Sequence, residues 1–250
     1  MITKPRLLVT RFSPHAEMLA EQLNHVGCFS IAQSLLTVKP LVDSVIGTKF
    51  LKGDYDIVIA VSGNAVKYTQ QQLSSNWPNA TYIAVGKSTQ TQLKQVSGQN
   101  VLIPSTRFDS EGVLQLEPLK FVLGKKVLIL RGQGGREHLD KTLIERGAQV
   151  DFLESYKRVE LLLDGNKLAN NWQQASINGA IISSVEILNQ LFLVIPNKHK
   201  AWLRQLTFYV PSHRVAEYAS KLGVHKTLIL PSLRTEDIVL FFKAAIGKGI

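Results

Sequence analysis

The chain has 250 residues, which is enough for one large domain or for two smaller ones that each bury a core. A single cysteine, Cys28, excludes an internal disulfide framework, fits a reducing compartment and is more typical of a core residue than of a nucleophile. The net charge of +10 indicates a surface that attracts anions, but no run of Lys and Arg predicts a nucleic-acid-binding tail.

Nothing in the sequence has the pattern of a membrane span, a signal peptide or a metal site. An apolar strand follows the first few residues directly, without the apolar core of a signal peptide. The most apolar long segment, residues 179–196, is interrupted by two serines, Glu186 and Asn189. The six histidines show no paired spacing typical of metal ligands. We therefore expect a cytoplasmic protein that binds neither metal nor membrane.

The chain contains an internal repeat. Residues 127–158 match residues 7–38 at a constant offset of 120, and Arg11, Glu17, Leu19, Leu23 and Gly27 recur as Arg131, Glu137, Leu139, Leu143 and Gly147. Each copy has the pattern strand, turn, helix, glycine, strand, with apolar runs typical of buried parallel strands. Gly27 and Gly147 follow the predicted helices, where a positive φ favours glycine. The sequence therefore predicts a duplicated α/β unit with a mostly parallel sheet.

Small and hydroxyl-bearing residues follow each predicted strand. In an open parallel sheet, ligands bind beyond the carboxyl ends of the strands, and the helix N-termini that begin there favour anions. Ser13 and Pro14 predict an N-cap and the first residue of a helix. Serines in such turns can also act only as helix caps, and that alternative stays open. The candidate ligand-binding residues in these turns are Thr10, Ser62, Asn64, Gly86, Lys87, Ser88, Thr89, Ser183, Ser184, Ser212 and Arg214.

The glycine-rich turn after the strand at 127–130 has the composition of an anion-binding loop. It adds the candidate binding residues Arg131, Gly132, Gly134, Gly135 and Arg136. A dinucleotide fingerprint would need a third glycine where Glu137 stands, although Glu154 occupies the place of its acidic ribose ligand. A P-loop ending at Gly86-Lys87-Ser88 would need a glycine where Thr81 stands. Both nucleotide motifs are incomplete, so no nucleotide cofactor is expected.

Four segments together resemble the uroporphyrinogen-III synthase family, in particular its proteobacterial branch. They are LILRGQGGRE at 128–137, ESYKR at 154–158, IAVGKST at 83–89 and VTR at 9–11. The resemblance extends over essentially the whole chain, and LRGQGGRE is its most specific part. The chain differs from the family at Phe12, where a proline is common, and at 210–214, where VPSHR replaces a Gly-Pro-Thr-type turn.

The resemblance implies a fold of two similar, flavodoxin-like parallel-sheet domains. In the family the first βαβ unit is exchanged between the repeats. Domain 1 would then comprise residues 1–35 plus 159–250, and domain 2 residues 40–154. Two β linker segments, 36–39 and 155–158, would join the domains and form a hinge.

The resemblance also implies an activity. The family closes hydroxymethylbilane, a linear tetrapyrrole with eight carboxylates, with loss of water and inversion of ring D through a spiro intermediate. It needs no metal or redox cofactor. Tyr156 would be the acid that assists departure of the hydroxyl group, unless it only packs at the hinge. The candidate carboxylate clamps are Arg11, Arg131, Arg136 and Arg158. Arg136 could instead pair with Glu137 or Asp140 on the helix surface.

Two other classes of protein remain alternatives at this point. A two-domain chain rich in anion-binding turns also suits an anionic-ligand-binding protein without catalysis, although such proteins are usually exported. A nucleic-acid binder would use the positive charge, but the sequence has no basic patch interleaved with aromatic residues and no helix-turn-helix pattern. The resemblance implies a role in tetrapyrrole (haem) biosynthesis, and we expect a monomer that can make a transient contact with the preceding enzyme of that pathway.

Overall fold

The computed structural model describes residues 4–41, 54–73, 77–134 and 138–247. It is an α/β protein built on two sheets, which confirms the predicted fold class. The chain divides into two compact units. Unit 1 contains Met1–Thr37 and Val159–Ile250, and unit 2 contains Val38–Arg158.

Eleven strands are present in the described residues. In chain order they are β1 (Leu7–Val9), β2 (Ser30–Ala32), β3 (Leu36–Pro40), β4 (Ile57–Ala60), β5 (Thr81–Ala84), β6 (Val101–Leu102), β7 (Lys126–Gly132), β8 (Gln149–Glu160), β9 (Gly179–Ile181), β10 (Thr207–Val210) and β11 (Lys226–Ile229).

Helices connect most of these strands. In chain order they are α1 (His15–His25), α2 (Gly63–Gln72), α3 (Lys87–Ser97), α4 (Ser110–Val113), α5 (Glu117–Lys120), α6 (His138–Glu145), α7 (Gly165–Gln174), α8 (Val185–Val194), α9 (Asn197–Gln205), α10 (His213–Lys221) and α11 (Thr235–Gly247).

Unit 1 contains the five-stranded sheet, with the order β11-β10-β9-β1-β2. All of its neighbouring strands are parallel, and Leu7 of β1 lies beside both Ser30 of β2 and Gly179 of β9. The first strand–helix–strand copy, β1-α1-β2, therefore forms one edge of a sheet whose other strands come from the last third of the chain.

The second sheet has six strands, with the order β3-β8-β7-β4-β5-β6. Its five strands from β8 to β6 are parallel to their neighbours. The hydrogen bonds from Leu41 N to Ser155 O and from Leu161 N to Leu35 O make β3 antiparallel to β8. The second strand–helix–strand copy, β7-α6-β8, belongs to this sheet.

Both faces of each sheet are covered by apolar side chains, as the continuous hydrophobic strands require. One face of the unit 2 sheet packs Val58, Leu128 and Leu153 with side chains of α2 and α3. The opposite face packs Ile59 and Ile129 with side chains of α4, α5 and α6. The residues that follow each strand are therefore held in position, because the strand residues just before them are buried.

The two copies end their helices in the same way. Gly27 has a φ of +82° and Gly147 a φ of +86°, which confirms the predicted left-handed residue after each helix. The predicted start of α1 is wrong. Pro14, rather than Ser13, occupies the N-cap position, and no side chain caps the helix. The amide of Ala16 donates to the carbonyl of Phe12, so this turn closes through the backbone and needs no serine cap.

The cysteine is a core residue, as predicted. Cys28 is fully buried among apolar side chains, and burial raises the pKa of its thiol to about 11. The folded state therefore binds the thiol proton more tightly than the unfolded state does. We expect Cys28 to contribute a part of the free energy of unfolding that is complete below about pH 9 and is lost as the pH rises towards about 11.

Denaturant titrations between pH 8 and pH 11 measure this contribution, and Cys28→Ala is the comparison. The stability difference between the wild-type chain and Cys28→Ala should shrink as the pH rises, because only the wild-type chain carries the thiol. A difference that stays constant over this range would contradict the assignment. Reaction with an aromatic disulfide reagent at neutral pH should also require unfolding.

Candidate functional site

The predicted turns of unit 2 lie at one edge of its sheet. Ser62 follows β4, Gly86 follows β5, and Arg131 and Gly132 end β7. These three strands are parallel neighbours in the order β7-β4-β5, so their carboxyl ends lie side by side. This is the edge at which an open parallel sheet binds ligands.

Tyr156 lies at this edge, where three residues hold its side chain. Its hydroxyl oxygen is 3.1 Å from Oγ of Ser62. The ring of Tyr68 packs at a centroid distance of 5.9 Å and a tilt of 34°. On the β7 side, a Cβ atom at Gly132 would lie 2.5 Å from Cζ of Tyr156. We call Ser62, Tyr68, Gly132 and Tyr156 the Tyr156 cluster.

An irregularity in β8 directs Tyr156 to this position. Arg131 pairs with Glu154, but Gly132 pairs with Tyr156, so β8 gains one residue at Ser155. Strict alternation along β8 would place Tyr156 on the same face of the sheet as Phe152. Its ring instead packs on the opposite face, with the apolar side chains that include Leu153. The extra residue, Ser155, is fully buried and its hydroxyl donates to the carbonyl of Ala65. The bulge therefore gives the phenol its orientation.

Arg131 points to the opposite face of the same sheet. Its Nε and Nη2 atoms donate to one carboxylate oxygen of Glu154, at 3.1 and 3.0 Å. Its guanidinium carbon lies 3.9 Å from the ring centroid of Phe152, and only 14% of the side chain is exposed. Beside it is a cavity of about 380 Å³, lined by Val61, Val85, Phe108, Asp109, Ser110, Ile129, Arg131, Leu139 and Phe152. A substrate carboxylate would have to compete with Glu154 for this arginine.

The other candidate residues of unit 2 differ in accessibility. Asn64, Lys87, Ser88, Gly134 and Arg158 are exposed, and Gly86 is half-buried at the N-cap of α3. Thr89 is buried inside the first turn of α3, so its hydroxyl is the least accessible of this group. Gly135 and Arg136 lie outside the described residues.

The candidates of unit 1 follow β1, β9 and β10, and their carboxyl ends share one edge of the five-stranded sheet. Thr10 is fully buried, and its hydroxyl donates to the carbonyl of Ile181 at 2.8 Å. It therefore ties β1 to β9. Nη1 of Arg11 donates to Thr235 at 3.3 Å. Burial lowers the pKa of Arg11, and the nearby carboxylate of Glu236 opposes this effect.

The serines of unit 1 occupy helix starts. Ser184 caps α8, and its Oγ accepts from the amide of Ile187 at 3.2 Å. Ser212 occupies the N-cap position of α10 without a side-chain cap, and Ser183 is half-buried beside Ser184. Arg214 is exposed in the first turn of α10. The predicted helix-cap role is thus present at Ser62 and Ser184, which does not prevent either from contacting a ligand.

Sequence reasoning missed Tyr68 and the partnership of Arg131 with Glu154. No local pattern predicts that Arg131 pairs with Glu154, 23 residues later, because this pairing depends on the register between β7 and β8. Tyr68 has no signal in the sequence beyond being an aromatic residue, and it lies in the second turn of α2. The described residues contain no group of His, Cys, Asp and Glu that could hold a metal ion, and no described helix is long and apolar enough to cross a membrane.

Comparison with known proteins identifies the family of this chain. The family model described as Uroporphyrinogen-III synthase HemD matches residues 17–239. The chain belongs to the uroporphyrinogen-III synthase family. Among curated members, the uroporphyrinogen-III synthase of Escherichia coli K12 is 37% identical over 228 residues, which cover 87% of this chain and 91% of the relative. That of Proteus mirabilis is 33% identical, with coverage of 74% and 96%. The predicted resemblance to this family is confirmed.

Solved uroporphyrinogen-III synthases share the fold. A mutant enzyme from the extremely thermophilic bacterium Thermus thermophilus superimposes with a TM-score of 0.61 at 16% identity, covering 98% of this chain and 99% of that one. The Helicobacter pylori 26695 enzyme gives a TM-score of 0.60 at 15% identity, with coverage of 97% and 99%. At such low identity these structures support the fold alone. The family match gives no support to the alternative of an anion-binding protein without catalysis.

Proposed function

We propose that this protein is a uroporphyrinogen-III synthase that converts hydroxymethylbilane to the macrocycle with ring D inverted. Family membership supports this activity, and the observation that carries it in the structure is Tyr156. Its phenol lies at the ligand-binding edge of a parallel sheet and is held by Ser62, Tyr68 and Gly132. A phenol carries a hydrogen that it can donate to a departing oxygen.

The first step requires loss of the hydroxyl group of the substrate. The nitrogen of ring A supplies electron density as the carbon–oxygen bond breaks, and the phenol hydrogen of Tyr156 joins the departing hydroxyl to form water. The products of this step are water, an azafulvenium cation on the substrate that keeps the hydrogen of the ring A nitrogen, and a phenolate on Tyr156. The substituted α-carbon of ring D then attacks, the spiro intermediate fragments, and recombination at the free α-carbon of ring D closes the ring. The hydrogen that this carbon loses restores the phenol.

The protein contributes mainly by holding one conformation of the substrate. The unaided reaction closes without inversion, so the bound chain has to be positioned for attack by the substituted carbon. Helix starts after β4, β5, β9 and β10 offer backbone amides to carboxylates, and the net charge of +10 favours their capture. We propose Arg11, Arg131, Arg136 and Arg158 as the cationic partners of those carboxylates.

We also propose that residues 1–35 with 159–250 and residues 40–154 act as two domains, joined by the segments 36–39 and 155–158.

A single cysteine in the core is compatible with the reducing cytoplasm, which we propose as the location. The monomeric state stays a prediction, as does the transient contact with the enzyme that supplies hydroxymethylbilane.

Analysis of the isomer formed from hydroxymethylbilane tests the proposed function. The purified chain should produce the type III isomer, with ring D inverted, faster than the type I isomer forms spontaneously. The same chain denatured by heat serves as the control for the spontaneous reaction. Formation of type I alone, at the spontaneous rate, would exclude the activity.

A further inference from the structure

Ser62 makes two interactions through one hydroxyl group. Its Oγ accepts a hydrogen bond from the amide of Ala65 at 3.1 Å and so caps α2. The same Oγ lies 3.1 Å from the hydroxyl oxygen of Tyr156. A helix cap explains the first interaction only, because a cap needs an acceptor and makes no use of the serine hydrogen.

The hydrogen of Ser62 can be assigned from the proposed chemistry. A serine hydroxyl has two acceptor positions and one hydrogen, and the cap occupies one acceptor position. If Tyr156 donated to Ser62, its own hydrogen would be engaged and unavailable to the departing hydroxyl of the substrate. If Ser62 donates to Tyr156, the phenol hydrogen is directed elsewhere. Only the second arrangement leaves Tyr156 ready to act as an acid.

We propose that Ser62 is a positioning residue that donates a hydrogen bond to the phenol oxygen of Tyr156 and supports the phenolate formed when the substrate hydroxyl leaves. This inference rests on the proposed function. Hydrogen bonds to charged oxygens are roughly twice as strong as those to neutral ones, so this bond strengthens as the phenol gives up its hydrogen. The effect therefore acts on the transition state rather than on the bound substrate.

The remaining neighbours of Tyr156 fix the position of its ring but not the direction of its hydroxyl hydrogen. Gly132 allows the ring to lie against the backbone of β7, and Tyr68 packs beside it. The hydroxyl of Tyr68 is directed to the carbonyl of Val38 at 3.4 Å. Rotation about the terminal carbon–oxygen bond of Tyr156 is the freedom that ring packing leaves open, and Ser62 restricts it.

The corresponding turn of unit 1 shows that capping does not require a tyrosine. Ser184 follows β9 as Ser62 follows β4, with a φ of −161° in both residues. It caps α8 through the amide of Ile187 at 3.2 Å. Within the described ranges, no tyrosine hydroxyl is bonded to Ser184. The serine–tyrosine pair is therefore present at Ser62 of unit 2 and not at Ser184 of unit 1, as a role in chemistry would require.

Steady-state kinetics on Ser62→Ala and Ser62→Thr test the proposal. Ser62→Ala should lower kcat by about 10- to 100-fold, the contribution of a hydrogen bond to a charged group, with little change in KM. Ser62→Thr keeps both the cap and the donor and should recover most of the turnover. Asp164→Ala controls for the loss of a cap, because Asp164 caps α7 through the amides of Asn166 and Lys167. It should lower the melting temperature and keep wild-type kcat.

A double-mutant cycle separates action through Tyr156 from a general structural effect. In a Tyr156→Phe chain there is no phenol oxygen to support, so adding Ser62→Ala should cause no further loss of turnover. Wild-type turnover in Ser62→Ala, or an equal loss of kcat in both backgrounds, would overturn the proposal. Failure of the proposed function is seen separately, as absence of the type III isomer in the unsubstituted chain.

Discussion

Replacing Tyr156 by Phe should lower turnover by about 10- to 1000-fold, the usual contribution of a positioned proton donor. The substitution keeps the ring and its contacts with Tyr68 and Gly132 but removes the hydrogen that assists departure of the hydroxyl group. Substrate affinity and melting temperature should stay near wild-type values, because the lost interaction is made in the transition state. Single-turnover kinetics with hydroxymethylbilane measure the effect directly.

A second tyrosine of unit 2 provides the matched control. Tyr55 precedes β4, at the opposite end of the strands, and its hydroxyl donates to Asp151 at 3.0 Å. Tyr55→Phe should lower the melting temperature and leave turnover unchanged, which is the reverse of the pattern expected for Tyr156→Phe. If Tyr156→Phe retained wild-type turnover, acid assistance would have to come from another group, and Tyr156 would be a packing residue.

Gly132→Ala should also reduce turnover strongly, by about 100-fold, because a displacement of the reacting group by about 1 Å can have that effect. The new Cβ would lie 2.5 Å from Cζ and 2.6 Å from Cε2 of Tyr156, so the ring has to move. Its hydroxyl would then leave the position from which it contacts Ser62. Turnover assays and the near-ultraviolet circular dichroism of the tyrosines measure the two consequences.

The Tyr156→Phe background distinguishes displacement of the phenol from damage to the sheet. There, Gly132→Ala should cause little further loss of turnover, since the group it displaces no longer donates. A large additional loss in that background, or unchanged turnover in the single variant, would contradict this role for Gly132.

Features that repeat within the sequence were predictable from it. The constant offset between the two copies, with Gly27 and Gly147 at matching positions, predicted both strand–helix–strand units and the left-handed residue after each helix. The buried part of each strand was recognisable because apolar runs such as 127–130 stop at small or polar residues, although β7 itself continues to Gly132. The apolar runs and the glycines are local signals that can each be detected within about a dozen residues, and the repeat is found by comparing the sequence with itself.

The details of the site depend on register, which is not local. One extra residue in β8 moves the ring of Tyr156 to the face that packs with α2, and no propensity marks Ser155 as the residue that is added. The same strand pairing places Glu154 against Arg131. The arginine predicted to bind a substrate carboxylate is therefore already hydrogen-bonded to a carboxylate of the protein. The resemblance identified Tyr156 as a candidate, but its contacts with Ser62 and Tyr68 required the assembled sheet.

The arrangement of the first sheet constrains how the chain folds during synthesis. The six-stranded sheet is drawn from a continuous stretch that ends at Glu160, so its strands are all available once that residue has left the ribosome. By contrast, β1 is made first but lies beside β9, which begins at Gly179. The apolar edge of the earliest strand–helix–strand unit must therefore stay unpaired, and open to aggregation or chaperones, until most of the protein has been translated.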